Sequence, residues 1–244
     1  MNKMPIAAIL AMCVLSSPVW SENLSVGVEA SDYMPIYKGD GAGYKGYARE
    51  LLDSFASKNG YSFTYVVYPV ARLHTEFAVK KSLDFKYPDN AYWAREVKKD
   101  AKITYSKGTI TVTEGLMVLP GRKGKGNITS IATLRGFTPY PYLDQIKKNA
   151  IAVTEANSPE SVISMGEAGR VDAVYLGVIS ANYLMAEVMR KPGILVFDDA
   201  LPSTRSDFSL SSIEHPEVIR KFDEYLVNEK ETIAKLKAKY KIVE

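Results

Sequence analysis

Apolar positions along the chain follow two periods in turn. The run "NLSVGVEA" (23–30) reads as a strand, and "YKGYARELLDSFASKNG" (44–60) sets Tyr47, Leu51, Leu52 and Phe55 on one helical face and stops at Gly60. "YSFTYVVYP" (61–69) returns to strand composition, β-branched and aromatic, and is halted by Pro69. A helix, "VARLHTEFAVKKS" (70–82), and a short strand, "LDFKYP" (83–88), follow. The β-α-β-α-β order predicts a parallel sheet.

A long extended segment rich in Thr and Val, "KGTITVTEGLMVLPG" (107–121), then precedes a second round of alternation. This round contains a strand at 130–136, an aromatic loop "FTPYPY" (137–142), a helix at 143–149 and a strand at 150–156. In the next helix, "SPESVISMGEAG" (158–169), Ser158 is the N-cap, Pro159 the first helical residue, Glu160 part of the first turn and Gly169 the stop. It feeds directly into "RVDAVYLG" (170–177), a buried strand ending at Gly177, and ligands of open α/β sheets collect at the carboxyl ends of such strands. A helix at 178–191 and a strand at 193–200 complete the round.

The last segment predicts one strand and two amphipathic helices, with stripes Val218, Phe222, Tyr225 and Ile233, Leu236, Tyr240. The first α/β unit, with only two helices of its own, is the expected partner of those stripes. The chain is thus expected to form two lobes joined by a hinge and to cross between them near residues 110 and 200: residues 22–110 in the first lobe, 111–200 in the second, and 201–244 returning to the first.

Composition narrows the class. With 244 residues and 46% hydrophobic content the chain supports packed cores. Its 31 Lys and Arg against 28 Asp and Glu leave no field of the kind that nucleic acid or an anionic membrane selects. The basic run "GRKGKG" (121–126) reads as a solvated glycine-rich loop. Residues 1–21 join one Lys to an apolar run from Ile6 to Leu15, a helix-breaking Pro18, and Val19 and Ser21 before a plausible cleavage point. This pattern is that of a secretory signal peptide, too short in its apolar part to span a bilayer. The single Cys13 lies inside it, so no disulfide or thiol chemistry is expected of the remainder. The expected location is the periplasm.

Familiar catalytic and cofactor patterns are weak. "GAGYKG" (41–46) matches a dinucleotide-binding pattern literally, but it lies far from the preceding strand and no acidic residue ends the next one, so a flexible loop is the expectation. "GRKGKGN" fails as a phosphate loop, with Asn127 where Lys is required. His74 and His215 stand alone, without cysteines or a paired spacing, and no Gly-x-Ser-x-Gly elbow exists. Neither metal nor cofactor is expected.

Nearly the whole of the chain after residue 21 resembles the extracellular solute-binding proteins of family 3. The carrying stretches, in order, are "YMPIYKGDGAGYKGYARELL", "LDFKYPDNAYWAREV", "LRG", "GRVDAVYLG", "FSLSSIEHPEVIRKFDEYL" and a terminal "KYKI". The resemblance implies an α/β fold of the two-lobed, periplasmic-binding-protein-like (type II) clamshell kind, each lobe a mostly parallel sheet flanked by helices, with two crossover hinge strands. It also implies a monomeric binding protein whose small polar or aromatic organic ligand, an amino acid or a molecule like one, is handed to an ABC importer's permease or sensed through a membrane receptor.

By the same resemblance Arg95 falls where the family clamps a ligand carboxylate, Asn90 where it carries Ser or Thr, and Tyr33 where an aromatic stacks on the ligand. The alternatives stay open: Arg95 as a solvent-facing residue of a charged helix start, and Tyr33 as packing against Pro35. Arg72, at the end of the second strand, is either near the cleft mouth or on a surface helix. The chain departs from the family at Gly177, where an acid would hold a ligand ammonium, and at "FTPYPYLD", which replaces an N–H-donating helix start. Tyr140 and Tyr142, with Trp93 and Tyr92, would instead line an aromatic pocket suited to a flatter, less polar or cationic ligand, or else pack the lobes together. An alternative function is a periplasmic dehydratase of the same fold, with Glu114, Glu155 or Asp89 as the acid or base.

Overall fold

The computed structural model describes residues 22–242; the signal-peptide expectation falls outside them. The main sheet runs, edge to edge, through Ala152–Ala156, Ser130–Leu134, Ala173–Gly177, Ile110–Val118, Thr204–Ser212, Phe85–Asp89, Glu22–Glu29 and Tyr61–Tyr68. At one end Glu22–Glu29 pairs in parallel with both Tyr61–Tyr68 and Phe85–Asp89. At the other, Ser130–Leu134 pairs in parallel with Ala152–Ala156 and Ala173–Gly177. Each end is one lobe.

Two long antiparallel strands connect the lobes. Ile110 to Glu114 pairs with Phe208 to Thr204, the other half of Ile110–Val118 continues beside Ala173–Gly177, and the other half of Thr204–Ser212 continues beside Phe85–Asp89. Each strand therefore spends half its length in each lobe. Glu114 stands where the ribbon enters the second lobe, opposite both Gly177 and Thr204.

Local sequence explains most elements. The helix Tyr47–Asn59 buries Tyr47, Leu51, Leu52 and Phe55, and the helix Pro159–Glu167 begins at Ser158, whose hydroxyl accepts a 3.2 Å bond from the Ser161 N–H. The C-terminal helices Pro216–Asn228 and Lys230–Lys239 return to the first lobe. Val218, Ile219, Phe222, Tyr225 and Ile233 join a core with Val26, Leu51, Phe55 and Phe85, and Leu236 and Tyr240 pack against it. Phe55 meets Phe222 edge-on at 4.9 Å. In the second lobe, Val162, Ile163, Leu184 and Met185 cover one sheet face and Tyr142, Ile146 and Ile151 the other.

Three local expectations give way. The segment "GAGYKG" is no flexible loop: Tyr37–Asp40 and Gly43–Lys45 form a hairpin, to which Asp32–Tyr33 adds, and the Asp40 carboxylate accepts the Ala42 N–H at 2.8 Å inside the turn. The helix expected over 178–191 is α-helical only for Val178–Tyr183 and widens to a π-turn at Leu184–Val188. The strand expected over 193–200 shrinks to Val196–Phe197, because among the described residues it pairs only with the end of Ile110–Val118, through Val118 and Met117.

Candidate functional site

The lobes meet at the carboxyl ends of their strands. Glu29 ends Glu22–Glu29, and Gly177 ends Ala173–Gly177. The space between them is divided into three adjoining chambers.

The innermost is a cavity of about 20 Å³, walled by Glu29, Tyr37, Val70, His74 and Trp93 of the first lobe, Gly136, Phe137 and Thr138 of the second, and Glu114 and Phe208 of the connecting ribbon. That volume is the space of roughly one water. Glu29, His74 and Glu114 are each almost wholly buried, at 2%, 4% and 6% exposure. Neither carboxylate has a Lys or Arg within salt-bridge distance among the described residues. Glu29 accepts a short hydrogen bond from the Tyr37 hydroxyl, and His74 Nδ1 has no partner among the described residues.

Burial governs the charges here. It pushes the Glu114 carboxyl up to about 8, helped by the nearby Glu29 charge, so at neutral pH Glu114 is mostly protonated. Burial also raises Glu29, against the opposing pull of Lys86 and the Tyr37 hydrogen bond. His74 is driven down to about 3, by burial first and by Lys86 second, and is neutral. Behind this wall Asp89 holds two lysines: Lys86 Nζ at 3.1 Å and Lys98 Nζ at 3.0 Å, with Ser211 donating at 2.7 Å. Burial alone would raise Asp89, but those partners outweigh it and keep the carboxyl below its ordinary value. The network ties the segment carrying Asn90, Trp93 and Arg95 to the first lobe.

Trp93 and Glu114 also wall a middle chamber of about 160 Å³ with Tyr92, Tyr140, Thr204, Arg205 and Ser206. Tyr92 and Tyr140 in turn wall an outer groove of about 540 Å³ that includes Arg95, Glu96, Asp144 and Lys147. Tyr92 and Tyr140 face each other across the lobes with ring centres 6.3 Å apart. Acid lies at the bottom, aromatic rings line the way up, and Arg95 stands at the mouth.

Beside the cavity, Tyr33 reaches from the first lobe to the end of the Ala173–Gly177 strand. A Cβ at Gly177 would lie 2.1 Å from the Tyr33 hydroxyl, so only glycine admits this approach. Tyr33 is buried, stacked on Tyr37 at 5.3 Å and packed against Phe137 and Phe208, and its backbone carbonyl accepts a 3.0 Å hydrogen bond from Ser180 of the second lobe. Among the described residues its own hydroxyl has no hydrogen-bond partner.

The residues singled out from the sequence divide accordingly. Trp93 lines the inner and middle chambers, Tyr140 the middle and outer ones, and Arg95 the outer groove, exposed, its guanidinium 5.2 Å from the Tyr92 ring. Asn90 is buried with its amide engaged: it donates to the Asp207 carbonyl at 3.2 Å and accepts from the Tyr92 N–H at 2.8 Å. Tyr142 lies in the second-lobe core and donates to the Pro202 carbonyl at 2.7 Å. Arg72 is on an exposed helix face, paired with Glu76 at 3.1 Å and lying over the Tyr68 ring. Of the acids, Glu155 is exposed beside Arg135, Asp89 is saturated by its lysines, and Glu114 alone faces the cavity. Glu29, Tyr37 and Phe208 carry no signal in the sequence reading, His74 enters it only as a lone candidate metal ligand and Phe137 only as part of the aromatic loop; the strand-end rule that drew attention to Gly177 applies equally to Glu29. No group of three His, Cys, Asp or Glu among the described residues is arranged to hold a metal ion.

This is a two-lobed type II periplasmic-binding-protein fold, with its candidate site in the interlobe cleft. Solved structures share it along nearly the whole chain. A putative binding component of an ABC transporter from Wolinella succinogenes, complexed with lysine, matches with a TM-score of 0.71 at 16% identity over 89% of this chain and 95% of its own. The GluR0 ligand-binding core from Nostoc punctiforme, in complex with L-glutamate, matches with 0.70 at 15% identity over 90% and 100%. The ancestral amino acid-binding protein AncCDT-1, a precursor of cyclohexadienyl dehydratase, matches with 0.66 at 18% identity over 89% and 95%. At such identities the likeness is one of fold. The chain matches no protein-family model and no curated protein sequence.

Proposed function

We propose that this chain is an exported solute-binding protein that closes its two lobes on a small organic ligand and presents the closed form to a membrane partner, an importer's permease or a receptor. The observation that carries the reading is the set of connected chambers whose walls come from both lobes and from the ribbon between them. A ligand touching both walls is held only when they approach, so its binding energy shifts the population toward the closed form. Residues 22–110 and 201–244 act as one lobe and 111–200 as the other. Trp93 and Tyr140 stack on the ligand, Arg95 engages a polar or acidic group at its outer end, and Tyr33 seals the back of the cleft. Asn90, Tyr142 and Arg72 support the walls. Export rests on the character of residues 1–21.

Small-angle scattering joined to a thermal-shift screen of amino acids, amines, aromatic acids and small peptides tests this. A hit should raise the melting temperature and reduce the radius of gyration. A panel with no hit, and no ligand-dependent compaction, would refute the reading.

A second reading rests on Glu114. A carboxylic acid still protonated at neutral pH, in a cavity with aromatic walls, has the character of a general acid for eliminating water from an organic acid. Turnover of prephenate-like acids by the purified protein, abolished in Glu114→Gln, would establish it.

A further inference from the structure

Two carboxylates share a water-sized cavity with the His74 ring, and among the described residues no Lys or Arg lies within salt-bridge distance of either; Lys86 acts on Glu29 only from behind the cavity wall. Burying acids costs free energy unless something pairs with them, so the arrangement selects what enters. An anion meets the Glu29 charge and brings nothing that can replace the Glu114 proton. A neutral hydroxyl brings no charge against which Glu114 could ionise. An ammonium head group takes about the space of one water and carries three N–H donors, for which Glu29, Glu114 and the neutral His74 ring supply acceptors. Trp93, Phe137 and Phe208 give the same cavity aromatic walls, and the Trp93 ring already lies 5.8 Å from one ammonium, that of Lys86.

We infer that the inner cavity takes the charged head of a primary amine with no carboxylate on the adjacent carbon, held by Glu29, Glu114 and His74, with the rest of the molecule running outward past Trp93, Tyr92 and Tyr140. The inference rests on reading the interlobe chambers as the ligand site. It separates this protein from binders of α-amino acids, because a carboxylate next to the ammonium would lie within the same acid-lined cavity. The groups facing Glu114 are Glu29, Tyr37 and the neutral His74 from the first lobe and Tyr33 and Tyr175 from either side, with Arg205 across the middle chamber. None of them supplies a cation in contact with Glu114, so an entering ammonium replaces the proton that Glu114 carries in its absence. Binding then releases that proton to solvent.

Calorimetry on the protein tests this with three matched pairs: tyramine and tyrosine, agmatine and arginine, putrescine and ornithine. At least one amine should bind about tenfold or more tightly than its amino acid, a difference of about 1.4 kcal/mol. In two buffers of different ionisation enthalpy at pH 7 it should release close to one proton per ligand, and close to none at pH 9, where Glu114 has already lost its own proton and the neutral fraction of the amine takes one up on binding. Glu114→Gln should weaken that amine about tenfold or more and abolish the proton release, while its melting temperature shows that it folds. Amino acids binding as well as the amines, with lobe closure, would overturn the inference and leave the solute-binding reading standing. No binding by any of the six, or an amine whose affinity and proton release survive Glu114→Gln, would also overturn it. The broader panel's silence, without compaction, is the separate result that would remove the solute-binding reading.

Discussion

Replacing Gly177 with alanine probes how the lobes close. The backbone at Gly177 is extended, φ −69° and ψ 126°, so alanine meets no strain there. The cost comes entirely from across the cleft. The new Cβ would lie 2.1 Å from the Tyr33 hydroxyl oxygen, 2.8 Å from Cζ and 3.1 Å from Cε1, where ordinary contact starts at 3.4 Å. Tyr33 must retreat by about 1.3 Å, and Tyr37, Phe137 and Phe208 leave it nowhere to go within the closed form. Relief requires the lobes to part. Overpacking of this kind costs about 1–3 kcal/mol, and for a chain of this size each kcal/mol lowers Tm by about 2–4 °C.

Tyr33→Phe alone should be neutral or stabilising by up to about 1 kcal/mol, because the hydroxyl it removes is buried and unpartnered. In G177A/Y33F the nearest atom is Cζ at 2.8 Å, so less than half of the displacement remains. A double-mutant cycle by urea denaturation should therefore show a coupling of about 1 kcal/mol in the relieving direction, and the scattering radius of Gly177→Ala should exceed that of the parent. Effects that add to within about 0.5 kcal/mol, with an unchanged radius, would refute the contact between Tyr33 and Gly177 as the closing element.

Other residues yield shorter tests. Glu114 holds its proton in the folded chain to about pH 8 against an ordinary 4.5, so the folded state binds the extra proton between those values and stability declines as pH rises through that window, then levels off. At 1.36 kcal/mol per pH unit this amounts to about 5 kcal/mol, so Glu114→Gln should gain several kcal/mol over the parent between pH 4 and pH 9; parallel pH profiles would contradict the burial of that acid. Asp89→Asn leaves Lys86 and Lys98 buried without their counter-charge and should cost about 3–5 kcal/mol in denaturant melts, whereas a loss below about 1 kcal/mol would mean that the lysines find other partners. Ser180→Ala removes the buried hydrogen bond to the Tyr33 carbonyl and should lower stability by about 1 kcal/mol; no loss would argue against that bridge between lobes. Arg95→Ala should change stability by less than about 0.5 kcal/mol, since the side chain is exposed with its guanidinium over the Tyr92 ring, so any loss of ligand affinity in that variant reports on binding alone.

Near-neighbour chemistry was sufficient for what the chain spells out alone. Ser158 and Pro159 start a helix and Gly60 and Gly169 stop two, because caps and left-handed stops act over one turn. The Val218, Phe222, Tyr225 stripe announced a buried face for the same reason: helical spacing places those residues together whatever they pack on. The aromatic character of the cleft was legible too, in Trp93, Tyr92 and Tyr140, since bulky rings in loops flanking strand ends have few other places to go. The acid cavity was not. Glu29 ends one strand, Glu114 sits mid-strand in the connecting ribbon, and His74 belongs to a helix whose apolar face reads as core; none belongs to a local motif. Gly177 shows the divide most directly. From the sequence it is a position where an expected acid is missing, and only the closing of two lobes decides that Tyr33, distant along the chain, fills that place. Periodicity and capping are properties of neighbours in sequence, whereas burial, and with it the protonation of Glu114 and the unpartnered Nδ1 of His74, exists only once two separate halves of the chain exclude water from the space between them.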